Sequence, residues 1–166
     1  MNDDTVGLLF DVVERLQRNI QARDCPAIIA LQGQHKLMLS DYDYLRDQAT
    51  AVAFETRAAA KAREIGARRW VIAVPQIWLI TADEISARAV SNRPLLEHEQ
   101  EAITWTAYDH QDGVDYGRVA YTRRPNGEPI FAEPQMLTVG VRPGEATPGF
   151  RLLRILLEDD SGARDR

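Results

Sequence analysis

The stretch from Trp70 to Ile80 is apolar at both odd and even positions. Successive side chains of a strand point to opposite faces, so such a run describes a strand covered on both of them. Pro75 lies near its middle and lacks a backbone N–H, which implies an edge or a bulge there. This run is the expected hydrophobic centre of the chain.

On either side of Gly66 the pattern changes. Before it the apolar spacing is helical, and after it β-branched and aromatic residues alternate between turn signals, so helices are expected first and a sheet afterwards. Asp3, Asp4 and Thr5 offer capping oxygens to a first helix whose apolar positions are Val6, Leu9, Phe10, Val13, Leu16 and Ile20. That helix should end before Asp24-Cys25-Pro26. Residues 27–39 fit either a short helix or two strand pieces around Gln32-Gly33-Gln34, with helix preferred. Ser40-Asp41 then reads as the cap of a long helix over about 41–65 that stops at Gly66. Its acidic residues gather toward the start and its basic ones toward the end, as the helix dipole favours.

After the central strand, 85–91 reads as a second strand and 95–101 as a short helical turn. Ala102–Asp109 and Val114–Thr122 flank His110-Gln111-Asp112-Gly113, where an Asp-Gly step suits a tight hairpin. Pro125-Asn126-Gly127 marks another turn, Pro129–Ala132 follows, and Met136–Arg142 alternates as a half-buried strand. Thr147-Pro148 reads as the start of a closing helix over 148–157, with a strand left open as the alternative. The sum is a two-layer α+β domain: N-terminal helices on a mostly antiparallel sheet of about five or six strands, with a short C-terminal helix.

The 166 residues, 45% hydrophobic and 27% charged, suit one ordinary domain over 1–157, with 158–166 as a frayed polar tail. No apolar run is long enough to span a membrane, and the acidic start lacks the basic and apolar regions of a secretory signal, so a cytoplasmic protein is expected. A net charge of −5 disfavours nucleic acid as a partner without excluding it. The basic residues are nearly all arginine, with lysine only at Lys36 and Lys61, which points to a GC-rich bacterial source.

Candidate chemistry is sparse. Cys25 with His35 suggests a nucleophile and base, but one cysteine beside an apolar run is more often a small buried hydrophobe. His98 and Glu101 bring imidazole and carboxylate close in sequence without the spacing of a zinc helix. Asp109, in an acidic hairpin tip, is a third candidate acid or base, and that tip does not match a calcium loop. No metal site and no cofactor are specified. Thr104, Thr106 and Tyr108 share one strand parity, as do Tyr116 and Arg118, so together they could line a concave pocket under the helices. Arg63, Arg68 and Arg69 beside Trp70, with Arg123 and Arg124, form the candidate nucleic-acid contacts. The Rossmann, Walker and serine-hydrolase motifs are missing. The first expectation is therefore a non-catalytic module that binds a protein partner or itself. A small-molecule or hydrolytic pocket on the sheet face is the alternative, and nucleic-acid association the second.

Overall fold

The computed structural model describes residues 1–137, 144 and 146–164. Helix α1 (Asp3–Gln21) is capped by Asn2, one residue before the acidic residues expected to do so. The Asn2 side chain accepts the Thr5 backbone N–H at 3.0 Å, while Asp3 and Asp4 lie in the first turn. Its buried stripe is Leu8, Leu9, Val12, Val13, Leu16 and Ile20. Phe10, expected on that stripe, is 49% exposed.

The preference for helix over 27–39 is corrected by an antiparallel hairpin, β1 (Ala27–Gln32) and β2 (Lys36–Asp41). β1 is buried on both faces: Ile28 and Ala30 join the core under α1, and Ile29 and Leu31 join a second core on the other side. Only an extended chain can hand alternate residues to opposite layers. The turn also has to pass close beneath the next helix. A Cβ on Gly33 would lie 2.3 Å from the Ile65 carbonyl oxygen, which accepts the Gln34 N–H at 2.9 Å.

Helix α2 (Gln48–Ile65) is shorter than the helix expected over about 41–65. Ser40 and Asp41 are not its cap, because they belong to β2 and pair with Ile28 and Ala27. Asp47 caps it instead, accepting the Thr50 N–H at 2.7 Å.

β3 (Arg69–Ile80) is the long central strand. Along one edge it pairs antiparallel with β5 (Glu99–Asp109) over its whole length. Along the other it pairs first with β1 and then with β4 (Ile85–Ala89). Pro75 falls between the last β1 pair, Ile28–Ala73, and the first β4 pair, Gln76–Ala89. A break in the ladder is where a missing N–H costs least. The helical turn expected over 95–101 gives way to the start of β5 at Glu99. β6 (Gly113–Arg123) completes the expected hairpin with β5 and also pairs with β7 (Pro129–Phe131) and β8 (Gln135–Met136). The strand expected over 136–142 lies mostly outside the described residues. The closing segment is helical: α3 runs Phe150–Arg164.

The sheet is antiparallel throughout, in the order β2-β1-β3-β5-β6-β7, so the α+β class holds. The two-layer arrangement does not. α1 packs on one face, against Val71, Ala73, Ile103, Trp105 and Val119. α2 and α3 pack on the other, against Trp70, Ile72 and Val74. A sheet whose central strands are apolar on both sides requires both covers.

Two glycines test this packing in opposite directions. Gly33→Ala drives a methyl group into the Ile65 carbonyl and is expected to cost roughly 1–3 kcal/mol. Gly7→Ala, in α1 with nothing within 4 Å of the added carbon, should stabilise by about 0.5–1 kcal/mol. Urea unfolding followed by circular dichroism reads both.

Candidate functional site

Past Val74, the face of β3 that carries Trp70, Ile72 and Val74 presents Gln76 and Trp78. Register extends this face across the sheet: Val74 lies beside Thr104 and then Arg118, Ile72 beside Thr106 and then Tyr116. Gln76 sits in the ladder between Ala89 and Ala102, and Trp78 beside Ala87. These alanines leave the space next to the Gln76 amide unfilled. The result is a cavity of about 560 Å³, within the range of small-molecule sites. Its floor is Gln76, Trp78, Thr104, Thr106 and Tyr116, and β4 forms one wall. Tyr44 and Leu45 before α2, Gln48 and Ala51 at its start, and Thr147 and Pro148 before α3 form the roof.

The walls are held by specific contacts. Trp78 Nε1 donates to Thr104 Oγ1 at 2.7 Å, and the Arg118 guanidinium lies 5.2 Å from the centre of the Trp78 ring. The Thr106 hydroxyl donates to the Pro148 carbonyl at 2.7 Å, tying the roof to the floor. Behind the roof, buried Glu55 of α2 accepts the Tyr44 hydroxyl at 2.6 Å and the Leu152 N–H of α3 at 3.1 Å. Burial raises the Glu55 carboxyl above its ordinary range, against the opposing pull of Tyr44 and of backbone N–H groups at the start of α3. This carboxylate joins α2, α3 and the segment before α2.

Inside the cavity, Gln76 is only 8% exposed, and its side-chain amide makes no hydrogen bond to any described residue. The Tyr116 hydroxyl is likewise unpartnered, and burial raises its pKa. Among the described residues, the charged ones on the wall are engaged elsewhere. Arg88 makes a bidentate pair with Glu99 at 2.9 Å for both bonds, and Asp47 caps α2. The arrangement can bind and orient a ligand, and its described residues include neither a nucleophile–base pair nor an imidazole.

Of the residues expected to form a pocket, Thr104, Thr106 and Tyr116 line this cavity. Arg118 supports Trp78 from beside it, and Tyr108 lies outside, stacked on Trp70 at 5.7 Å. Sequence reasoning passed over Gln76 and Trp78. The available signal was a lone amide within an otherwise apolar strand.

The three candidate acids and bases are kept apart. His98 is exposed, with a φ of 67°, on the loop before β5. Glu101 is buried in a bidentate pair with Arg123, at 2.8 and 3.1 Å. Asp109 lies eight residues further along β5, about 26 Å away at 3.3 Å per residue. It accepts Arg69 Nε at 3.1 Å, the Gln111 N–H at 2.9 Å and the Thr5 hydroxyl at 3.4 Å. It thereby ties the hairpin turn to α1 and β3. Cys25 precedes β1 while His35 sits in the turn after it, and burial raises the Cys25 thiol. Among the described residues no three His, Cys, Asp or Glu side chains come together to hold a metal.

The candidate nucleic-acid residues do not share a surface. Trp70 is fully buried. Arg63 pairs with Asp159, Arg68 contacts His110, and Arg69 pairs with Asp109 and Asp4. Arg123 and Arg124 lie at the opposite end of the sheet, where β6 turns into β7. No protein-family model, curated protein or solved structure matches the chain.

Asp109 provides a pH test of the framework at the end of the sheet away from the cavity. Burial alone would raise its pKa from 3.8. Hydrogen bonds from the Gln111 N–H, Asn2, Arg69 and the Asp112 N–H outweigh burial and bring it to about 2. The folded state therefore favours the ionised form, and this stabilisation is complete above the ordinary aspartate pKa and lost as pH falls toward 2. Asp109→Asn should cost roughly 1–3 kcal/mol at pH 7 and flatten the acid limb of a stability-against-pH profile measured by urea unfolding.

Proposed function

We propose that this chain is a non-catalytic binding module whose ligand is a small molecule held between the sheet and the start of α2. The observation that carries the reading is the cavity itself, lined by the buried Gln76 and the half-buried Tyr116, whose side-chain polar groups have no hydrogen-bond partner among the described residues. Polar side chains that line a concavity and have no partner within the protein keep their hydrogen-bonding capacity for a ligand. Among the described residues the charged groups on the walls, Arg88 and Asp47, are already engaged, so the site favours recognition by shape and hydrogen bonding.

A second reading, docking of a protein partner or of another copy, has its own observation. Among the described strands β4 pairs with β3 alone, and Ile85 on it is 66% exposed, with Leu96 in the following loop 72% exposed. A free edge with apolar side chains beside it invites strand addition. Native mass spectrometry tests self-association: a dimer that Ile85→Lys disperses supports it, and a monomer at every concentration removes it.

The primary reading is tested by ligand-observed NMR with a fragment library, repeated on Ala51→Phe, which places a ring in the cavity. Hits that vanish in the folded variant support the proposal. Hits indifferent to the substitution place binding elsewhere.

A further inference from the structure

We infer that the cavity takes a flat, uncharged heteroaromatic ring carrying an amide-type edge, with Gln76 reading the edge and Trp78 contacting the ring. The inference rests on the reading of the cavity as a ligand site and adds the chemical class.

Gln76 is the residue that sets the edge. A glutamine side chain offers one carbonyl acceptor and an NH2 donor side by side. The complementary group therefore presents a donor next to an acceptor, as the –C(=O)–NH– of a lactam or the N=C–NH2 of an aminopurine does. The residue is more than nine-tenths buried and lines the cavity, and its amide has no partner among the described residues. A ligand that matches both its donor and its acceptor gains two hydrogen bonds in a largely water-excluded site. Ala89 and Ala102 flank it in the ladder, so its neighbours across the strands are small side chains.

Trp78 sets the flatness. Two residues further along β3, it shares the face of Gln76. Its indole is held by the bond from Nε1 to Thr104, and the Arg118 guanidinium lies over its ring. A ring fixed in this way gives a flat ligand a rigid apolar edge to pack against at little entropic cost. Thr104 already accepts from Trp78, so its own O–H remains free to donate, and the Tyr116 hydroxyl completes the polar wall.

The absence of ligand charge follows from the ion pairs. Arg88 is matched by Glu99 and Asp47 by the first turn of α2, so neither is available to compensate a charged group brought out of water.

The experiment is isothermal titration of the full chain with three probes: quinazolin-4-one and adenine, which carry the edge, and naphthalene, which has the bicyclic shape without it. Each is repeated on Gln76→Leu and Gln76→Met, with thermal unfolding confirming that at least one variant is folded. In the natural chain, quinazolin-4-one or adenine is expected to bind at least tenfold more tightly than naphthalene. In the variants that advantage should fall by roughly tenfold or more, with naphthalene changed by less than about threefold. Equal binding of all three probes, or an advantage untouched by the substitutions, overturns the ligand class while leaving the cavity as a binding site. Failure of every probe to bind overturns both.

Discussion

A strand buried on both faces must be covered twice, and β3 is longer than the helices that cover it. Its 12 residues extend about 40 Å at 3.3 Å per residue. The 19 residues of α1 and 18 of α2 make helices of about 28 and 27 Å at 1.5 Å per residue. On the α2 side, the buried core ends at Val74. Beyond it the strand continues, Gln76 and Trp78 take the place of aliphatic side chains, and the cavity opens. The site is the stretch of sheet where helix cover runs out while the strands still pair.

The contacts that fix this geometry are mostly buried and polar. Glu55 links α2 to the first turn of α3 and to Tyr44 in the roof, and Thr106 ties Pro148 back to the floor. At the other end of the sheet Asp109 gathers α1, β3 and the β5–β6 turn. Arg88–Glu99 and Arg123–Glu101 brace the far ends of β4, β5 and β6. Groups that looked chemically suggestive are therefore engaged in holding elements together. Gln76 and Tyr116 lack such partners among the described residues. That contrast directs attention to the cavity in preference to the acidic clusters.

The strands on either side of Asp112-Gly113, the double-sided burial of 70–80 and the amphipathic α1 were legible because each follows from local pattern. The failures arose where local pattern is ambiguous or where the deciding partner is distant. Ile28 to Leu31 could be read as helix because a run buried on both sides has no alternation to display, and what decides the case is pairing with Val71 and Ile72. Ser40-Asp41 resembles a helix cap until its pairing with β1 is known. The same logic exposes an inconsistency in the two-layer expectation: a strand apolar on both faces already required a third layer. For the site, strand parity placed Thr104, Thr106 and Tyr116 on one face. It could not show that β4 folds back beside Gln76 and Trp78 to close a wall.

The central claim is that Gln76 presents an unpartnered amide to a ligand-accessible cavity, and its side-chain NH2 resonances report on this directly. Two-dimensional amide NMR, with the Gln76 signals assigned through Gln76→Met and recorded during titration with adenine, should show the largest shifts at those resonances. Smaller shifts are expected at the backbone amides of β4 and Thr147. Unmoved Gln76 signals, with perturbation confined to other surfaces or absent, would contradict the account.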